Sequence, residues 1–237
     1  MRKTMLTVAA ALCLSVSVNA QKEKQETIEG NGNLVTKEIP VSSFETLKAS
    51  GIYELKLVQG GAESVKVEAD ENLHQYFNVR NEGNTLVIDM KGTKNKNMKL
   101  KNKMKVYVSF KKLTEMDLSM VGDVKAETPL NFANLAIKNS SVGNVQLNLS
   151  ATTLNVTNNS VGHVKLHGKA ENAVVKNNGV GDFDAGDLVV QTMRIDNSGV
   201  GDAEVHATKE LTVSDSMLGG VKNKGGATVK KNKKVRI

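Results

Sequence analysis

The chain is short of the residues that build most catalytic and recognition sites. Its 237 residues include one cysteine, two prolines and no tryptophan. A lone cysteine cannot pair within the chain, so no disulfide framework exists. That residue, Cys13, lies in an apolar run from Met5 to Val18, behind the charges of Arg2 and Lys3. A positive start, a short apolar stretch and the ending Val18-Asn19-Ala20 predict a secretory signal peptide cleaved after Ala20. The run is too short to span a bilayer. A chain cleaved there keeps no cysteine, which excludes thiol chemistry and cysteine-bound zinc. It also keeps no apolar stretch long enough for a transmembrane helix. Aromatics are scarce as well, and only Phe132 and Phe183 lie beyond residue 111. Export and the missing stacking platforms together exclude nucleic acid as a partner.

Charge is present but uneven. The formal net charge is +7, and Arg2 and Lys3 supply two of it. Seven lysines, Lys91, Lys94, Lys96, Lys99, Lys101, Lys103 and Lys105, fall in one stretch without an acid. Seven more cations, Lys222, Lys224, Lys230, Lys231, Lys233, Lys234 and Arg236, crowd the last sixteen residues. The rest of the exported chain is therefore acidic, a body with two basic patches.

A repeat organises what lies between. Val-Gly or Leu-Gly recurs at Val121-Gly122, Val142-Gly143, Val161-Gly162, Val180-Gly181, Val200-Gly201 and Leu218-Gly219, every 18 to 21 residues. Apolar residues alternate on both sides of each pair. Leu135, Ile137, Val142, Val145 and Leu147 form one set, and Leu154, Val156, Val161, Val164 and Leu166 the next. Period-two alternation predicts strands with one buried face, and the valine of each pair is expected on that face. Two short strands joined by a Gly-rich bend, repeated about every nineteen residues, predict an all-β solenoid of stacked parallel strands. An antiparallel meander would not need the same residue type at the same place in every unit. One unit buries about five apolar side chains, too few to offset the ordering of its backbone, so units must fold as a stack. Asn139, Asn158, Asn177, Asn197 and Asp215 share one place in the frame and are expected to form a structural turn ladder.

Residues from Leu47 follow the same frame, with Ser50, Gly51, Ile52, Glu54 and Leu55 matching Ser198, Gly199, Val200, Asp202 and Ala203. Tyr53 stands where a glycine is expected. The organisation read from this is a signal peptide at 1–20, a flexible leader at 21–37 and an N-terminal β layer with a lysine-rich loop at 38–112. The solenoid repeats follow at 113–221, and a basic C-terminal cap at 222–237.

The opening strand Phe44–Leu57 and the Ser-initiated glycine turns at Ser119, Ser141, Ser160 and Ser198 carry a resemblance. Over residues 38–221 the chain resembles the head GIN domain family, the heads of autotransporter adhesins. The resemblance implies a right-handed, mainly parallel β-solenoid and a secreted or envelope protein of Bacteroidetes-type bacteria. It also implies a non-enzymatic binding or adhesion module located in the periplasm, at the cell surface or outside the cell. This sequence departs from the family's S-G-S-G turn by placing Val or Met before the second glycine.

Candidate sites are few. Asp123, Asn144, His163, Asp182, Asp202 and Gly220 follow the glycines and would stack in one column. Stacked carboxylates attract a cation or raise one another's pKa, but turn-forming aspartate is the simpler reading. His74, His163, His167 and His206 lack metal-ligand spacing. No nucleophile elbow, Walker loop or dinucleotide fingerprint occurs. No catalytic residue, cofactor or metal is expected. Lys94, Lys96, Lys99, Lys101 and Lys103 form a candidate patch for an anionic ligand. The partners it implies are an acidic envelope glycan, lipopolysaccharide or another envelope protein, and solvated lysines that block edge pairing are the simpler reading. Asp215-Ser216-Met217 matches a bacterial O-glycan acceptor pattern. Two alternatives stay open: a self-assembling envelope protein joined through solenoid ends, and a polysaccharide-active enzyme with Asp182 and Asp202 as its acids.

Overall fold

The computed structural model describes residues 26–126, 128–215 and 219–232. The predicted signal peptide, Ser216 and Met217 of the glycan-acceptor pattern, and the last cations of the basic tail lie outside them.

Strands Leu130–Asn139, Val145–Asn158, Val164–Asn177, Phe183–Asn197 and Ala203–Asp215 lie side by side, every neighbour parallel. Equivalent residues pair across successive units: Ile137 with Val156, Val156 with Val175, Val175 with Ile195. This is a β-solenoid of about six turns, not a meander. The long strands turn a corner by a change of phase. Val145, Leu147, Leu149 and Ala151 are buried, neither Thr152 nor Thr153 is, and Leu154, Val156 and Asn158 are buried again. Two consecutive outward residues redirect the chain onto the second face.

The core is a set of stacked columns. Leu47, Met116, Ile137, Val156, Val175, Ile195 and Val213 form one, each paired to the next through its backbone. Leu55, Val124, Val145, Val164, Phe183 and Ala203 form another. All but Met116, Leu47, Leu55, Phe183 and Ala203 are β-branched, the shape that packs best on a pleated surface.

The first turn is built as the repeat frame anticipates. Thr46–Ile52 pairs in parallel with Glu115–Val121, and Glu54–Gln59 with Val124–Ala126. Tyr53 turns inward, and its hydroxyl donates to the Ile88 carbonyl at 3.2 Å. Burial, and the negative charge of Asp89, push that hydroxyl's pKa far up. The excursions then close this end. Ser64–Asp70 runs antiparallel to Lys105–Phe110, and Leu34–Ile39 antiparallel to Ser64–Asp70. Phe77–Glu82 covers Thr85–Met90 in the same way on the other face. An open parallel edge would template aggregation, and these strands occupy it.

Two expectations for this region change. Residues 26–37 are not a flexible leader: Thr27–Glu29 pairs with Asn97–Lys99, and Leu34–Ile39 belongs to the main sheet. Nor are residues 91–105 one loop, because Asn97–Lys99 is a strand held by that pairing. Asp70 holds the joint. It is fully buried, Oδ1 accepts from Asn102 at 2.6 Å, and Oδ2 packs directly on Gly30, where a Cβ would lie 1.8 Å away.

Inside the corners the asparagines bond to one another. Asn139 Nδ2 donates to Asn158 Oδ1 at 2.9 Å, Asn158 to Asn177 at 2.8 Å and Asn177 to Asn197 at 2.7 Å. All four are buried. Ser141 and Ser160, also buried, donate hydroxyl bonds to Asn139 and Asn158 in their own turns. The file starts at Asn139 because Leu118 occupies the paired position one turn earlier. Asp215 pairs with Asn197 through its backbone.

The valines of the Val-Gly pairs are a correction. Val121, Val142, Val161, Val180 and Val200 stand outside, about half exposed, and bridge one to the next in parallel. Their glycines take positive φ, and the preceding turn's backbone closes against them. At Gly162, φ is +138° and a Cβ would meet the Gly143 carbonyl oxygen at 2.2 Å.

We expect Asn177→Ala to cost about 1–3 kcal/mol in urea unfolding, because it orphans buried groups of Asn158 and Asn197. Gly162→Ala should cost more than about 2 kcal/mol, since strained φ and a backbone clash add.

Candidate functional site

The outer column after the glycines is occupied by the backbone of its own neighbours. Asp123 Oδ1 accepts the Asn144 N–H at 3.0 Å, and Asn144 Oδ1 that of His163 at 3.1 Å. His163 Nδ1 accepts from Asp182 N–H at 3.3 Å, and Asp202 Oδ1 from Gly220 N–H at 3.1 Å. Outside the first ladder, these bonds join the four turns from Asp123 to Asp182 and, separately, the turns of Asp202 and Gly220. Among the described residues no group of three or more His, Cys, Asp or Glu is placed to hold a metal ion.

Asp182 and Asp202 do share a recess of about 540 Å³ with Asp184 and Glu204. The recess is not purely acidic, because Lys222 also lines it. Lys224 lies 2.7 Å from Glu204, and Lys165 lies 3.3 Å from Asp184. Burial pushes the Asp184 carboxyl up. Hydrogen bonds from the Gly186 N–H and Lys165 outweigh that and hold it below the usual carboxylate range. Asp184 is therefore poorly suited to donate a proton at neutral pH.

The lysine patch is more neutral than its sequence suggests. Lys96 pairs with Glu26 at 3.0 Å, Lys101 with Glu29 at 3.8 Å and Lys103 with Glu54 at 3.3 Å. Lys94 and Lys99 carry no ion-pair partner among the described residues and are exposed. The basic tail also turns back on the acidic body, through Lys224–Glu204 and Lys230–Glu210. Glu29 ends the strand Thr27–Glu29, Glu26 directly precedes it, and Glu54 opens the strand Glu54–Gln59. Position along the sequence gave no hint that these acids would face the lysines.

A surface that the sequence does not announce lies at the Thr152 corner. Two adjoining recesses of about 510 and 470 Å³ share Ser150, Lys169 and Val189 and form one shallow trough across four turns. Asn131 is held at one end by Gln59, which donates to its carbonyl at 2.9 Å and accepts its N–H at 2.7 Å. Gln191 is held at the other by Lys209, at 2.7 Å. Phe132 forms part of the wall and stacks on Phe110, with ring centroids 6.2 Å apart. Lys169 and Glu171 have no ion-pair partner among the described residues. The trough thus offers amides, hydroxyls, one ammonium and one carboxylate on a rigid sheet. No single-turn motif carries it, because each turn contributes one to three ordinary polar residues.

The stacked columns and covered N-terminal edge define a rigid β-solenoid scaffold. The chain belongs to the family described as "Putative auto-transporter adhesin, head GIN domain", whose model matches residues 43–227. It is similar to the solved structure of a "putative adhesin" from Bacteroides fragilis, at 28% identity and TM-score 0.75. That match covers 86% of this chain and 100% of the other. Two structures from Parabacteroides distasonis share the fold. A "putative lipid binding protein" has 23% identity and TM-score 0.66, and a "putative adhesin" has 22% and 0.64. Each covers 88% of this chain and 96% of its own. No curated protein matches the chain. No helix among the described residues is long and apolar enough to cross a membrane.

If Asp202 acts as a backbone acceptor, Asp202→Asn should leave stability within about 0.5 kcal/mol, because the amide oxygen still accepts. Asp202→Ala should cost about 0.5–1.5 kcal/mol. Millimolar calcium should leave the melting temperature of both variants and of the parent unchanged.

Proposed function

We propose that this chain is a non-enzymatic, exported cell-envelope module of the adhesion type that holds a glycan chain in the Thr152-corner trough. The observation that carries this reading is the trough itself. It runs across successive turns, as an extended polymer requires, and its walls are fixed by Gln59 and Lys209. Amide and hydroxyl groups match sugar hydroxyls, as does the Glu171 carboxylate in one recess, while Lys169 lines both recesses and favours a glycan bearing carboxylate or phosphate at their overlap. Preorganised walls lower the ordering cost of binding. The descriptions of the family and of the Bacteroides fragilis neighbour as adhesins support the class of function. The lysine segment, three of whose five candidate residues are already ion-paired, is the weaker candidate for the same ligand.

The expected result is salt-sensitive binding to acidic surface polysaccharides on a glycan array. Lys169→Ala should weaken it about tenfold, and Gln191→Ala several-fold, with unchanged melting temperature. Lys94→Ala with Lys99→Ala should change it less than twofold. Loss of binding in the Lys94/Lys99 variant with retention in Lys169→Ala would move the site to the lysine segment.

A further inference from the structure

The outward valines form a surface that neither the fold nor the glycan trough requires. Val121, Val142, Val161, Val180 and Val200 are 50, 51, 53, 51 and 50% exposed. They are half of the ten exposed large hydrophobics among the described residues. Stacked at about 4.8 Å per turn, they make a straight apolar file about 19 Å long. The repeats serve as an internal comparison. The outward position two residues before the valine varies among Ser119, Ser140, Asn159, Asn178 and Ser198, and the one two residues after among Asp123, Asn144, His163, Asp182 and Asp202. The valine does not vary over five turns. Its role in the backbone bridge does not explain that, since threonine has the same β-branched shape and would be wetted.

The two ends of the file differ in charge. Beyond Val121, Ile52 continues the line by pairing. There Ile52, Leu100, Lys103 and Val121 line a recess of about 240 Å³. Leu100 is exposed and sits between Lys99, which has no ion-pair partner, and Lys101. Lys103 is 81% exposed, although it touches Glu54, and Asp123 also lines this recess. Beyond Val180 and Val200 lies the recess of Asp182, Asp184, Asp202 and Glu204, with Lys222 on its rim.

We infer that the valine file is the seam of a two-fold, antiparallel dimer of this chain. A comb of side chains at one fixed pitch meets its own spacing in a second copy, so methyls of one file seat between those of the other. Antiparallel packing sets Val121 against the partner's Val200, Val142 against the partner's Val180, and Val161 against the partner's Val161. It also brings the Lys99–Lys103 segment of each copy to the acidic recess of the other, twice by symmetry. Parallel packing would set lysines on lysines and acids on acids. The seam is narrow, so the dimer is a reversible one.

The test uses the full chain with Cys13→Ser. Under mild oxidation, V161C should form a disulfide dimer with itself, V121C and V200C should not, and a mixture of V121C and V200C should give the mixed dimer. In sedimentation, the Cys13→Ser parent should associate reversibly. Val142→Asp with Val180→Asp should raise the dissociation constant at least tenfold, and 0.5 M salt several-fold. Val161→Thr keeps the β-branched shape, so it should weaken association without lowering the melting temperature. A monomer at every concentration, self-linking of V121C, or a dimer indifferent to Val142→Asp with Val180→Asp would overturn the inference.

Discussion

A side-chain amide carries a donor and an acceptor, and a stack of identical amides can satisfy both without any other partner. The file from Asn139 to Asn197 works in this way, inside the corner where the strand backbone must turn. A buried polar group without a partner would be costly, so the file demands that each turn sit directly over the last. That demand fixes the register of the whole solenoid. A slip of one residue would set Asn177 against Thr157 or Asn159 on the outward side, break its buried bonds and turn every core column outward. The outer bonds from Asp123 to Asp182, and from Asp202 to Gly220, repeat the constraint on the solvent side, where water could replace it. The inner file therefore carries specificity, and the apolar columns carry most of the burial.

Much of this was legible in the chain. The spacing of the glycines gave the turn length, and the recurrence of asparagine at one place in the frame implied stacking in parallel. The match of Ser50 to Ser119 in the first turn follows the same frame. The orientation of the valines runs against hydrophobicity and follows the count along the strand. Stepping by two from Ile137 lands on Asn139, Ser141, Gly143 and Val145, which leaves Val142 on the opposite side. Strict parity places the polar Asn and Ser inside and the apolar Val outside, against composition but in accord with the pleat. The corner pays no attention to polarity when the polar groups bond each other.

What the sequence concealed has a common cause. The pairing of Thr27–Glu29 with Asn97–Lys99, the seat of Asp70 on Gly30 and the ion pairs that quiet the lysine segment all join residues far apart along the chain, in the part without a repeat. A repeat transmits information from one turn to the next, and an excursion transmits none. The trough was hidden for a related reason, since its walls come from a few residues of each of four turns, each unremarkable alone.

The corner asparagines also make the molecule extensible. Each turn between Ile137 and Ile195 bonds only to the turn before and the turn after, through the same atoms. Insertion or removal of one such unit leaves the inner file unbroken, while the capped N-terminal end and the C-terminal edge move apart or together by one step. A surface that crosses the turns would lengthen or shorten by the same step. Reach along a polymer is then set by the number of copies of a short sequence, and the stiffness that holds it straight comes from bonds no solvent touches.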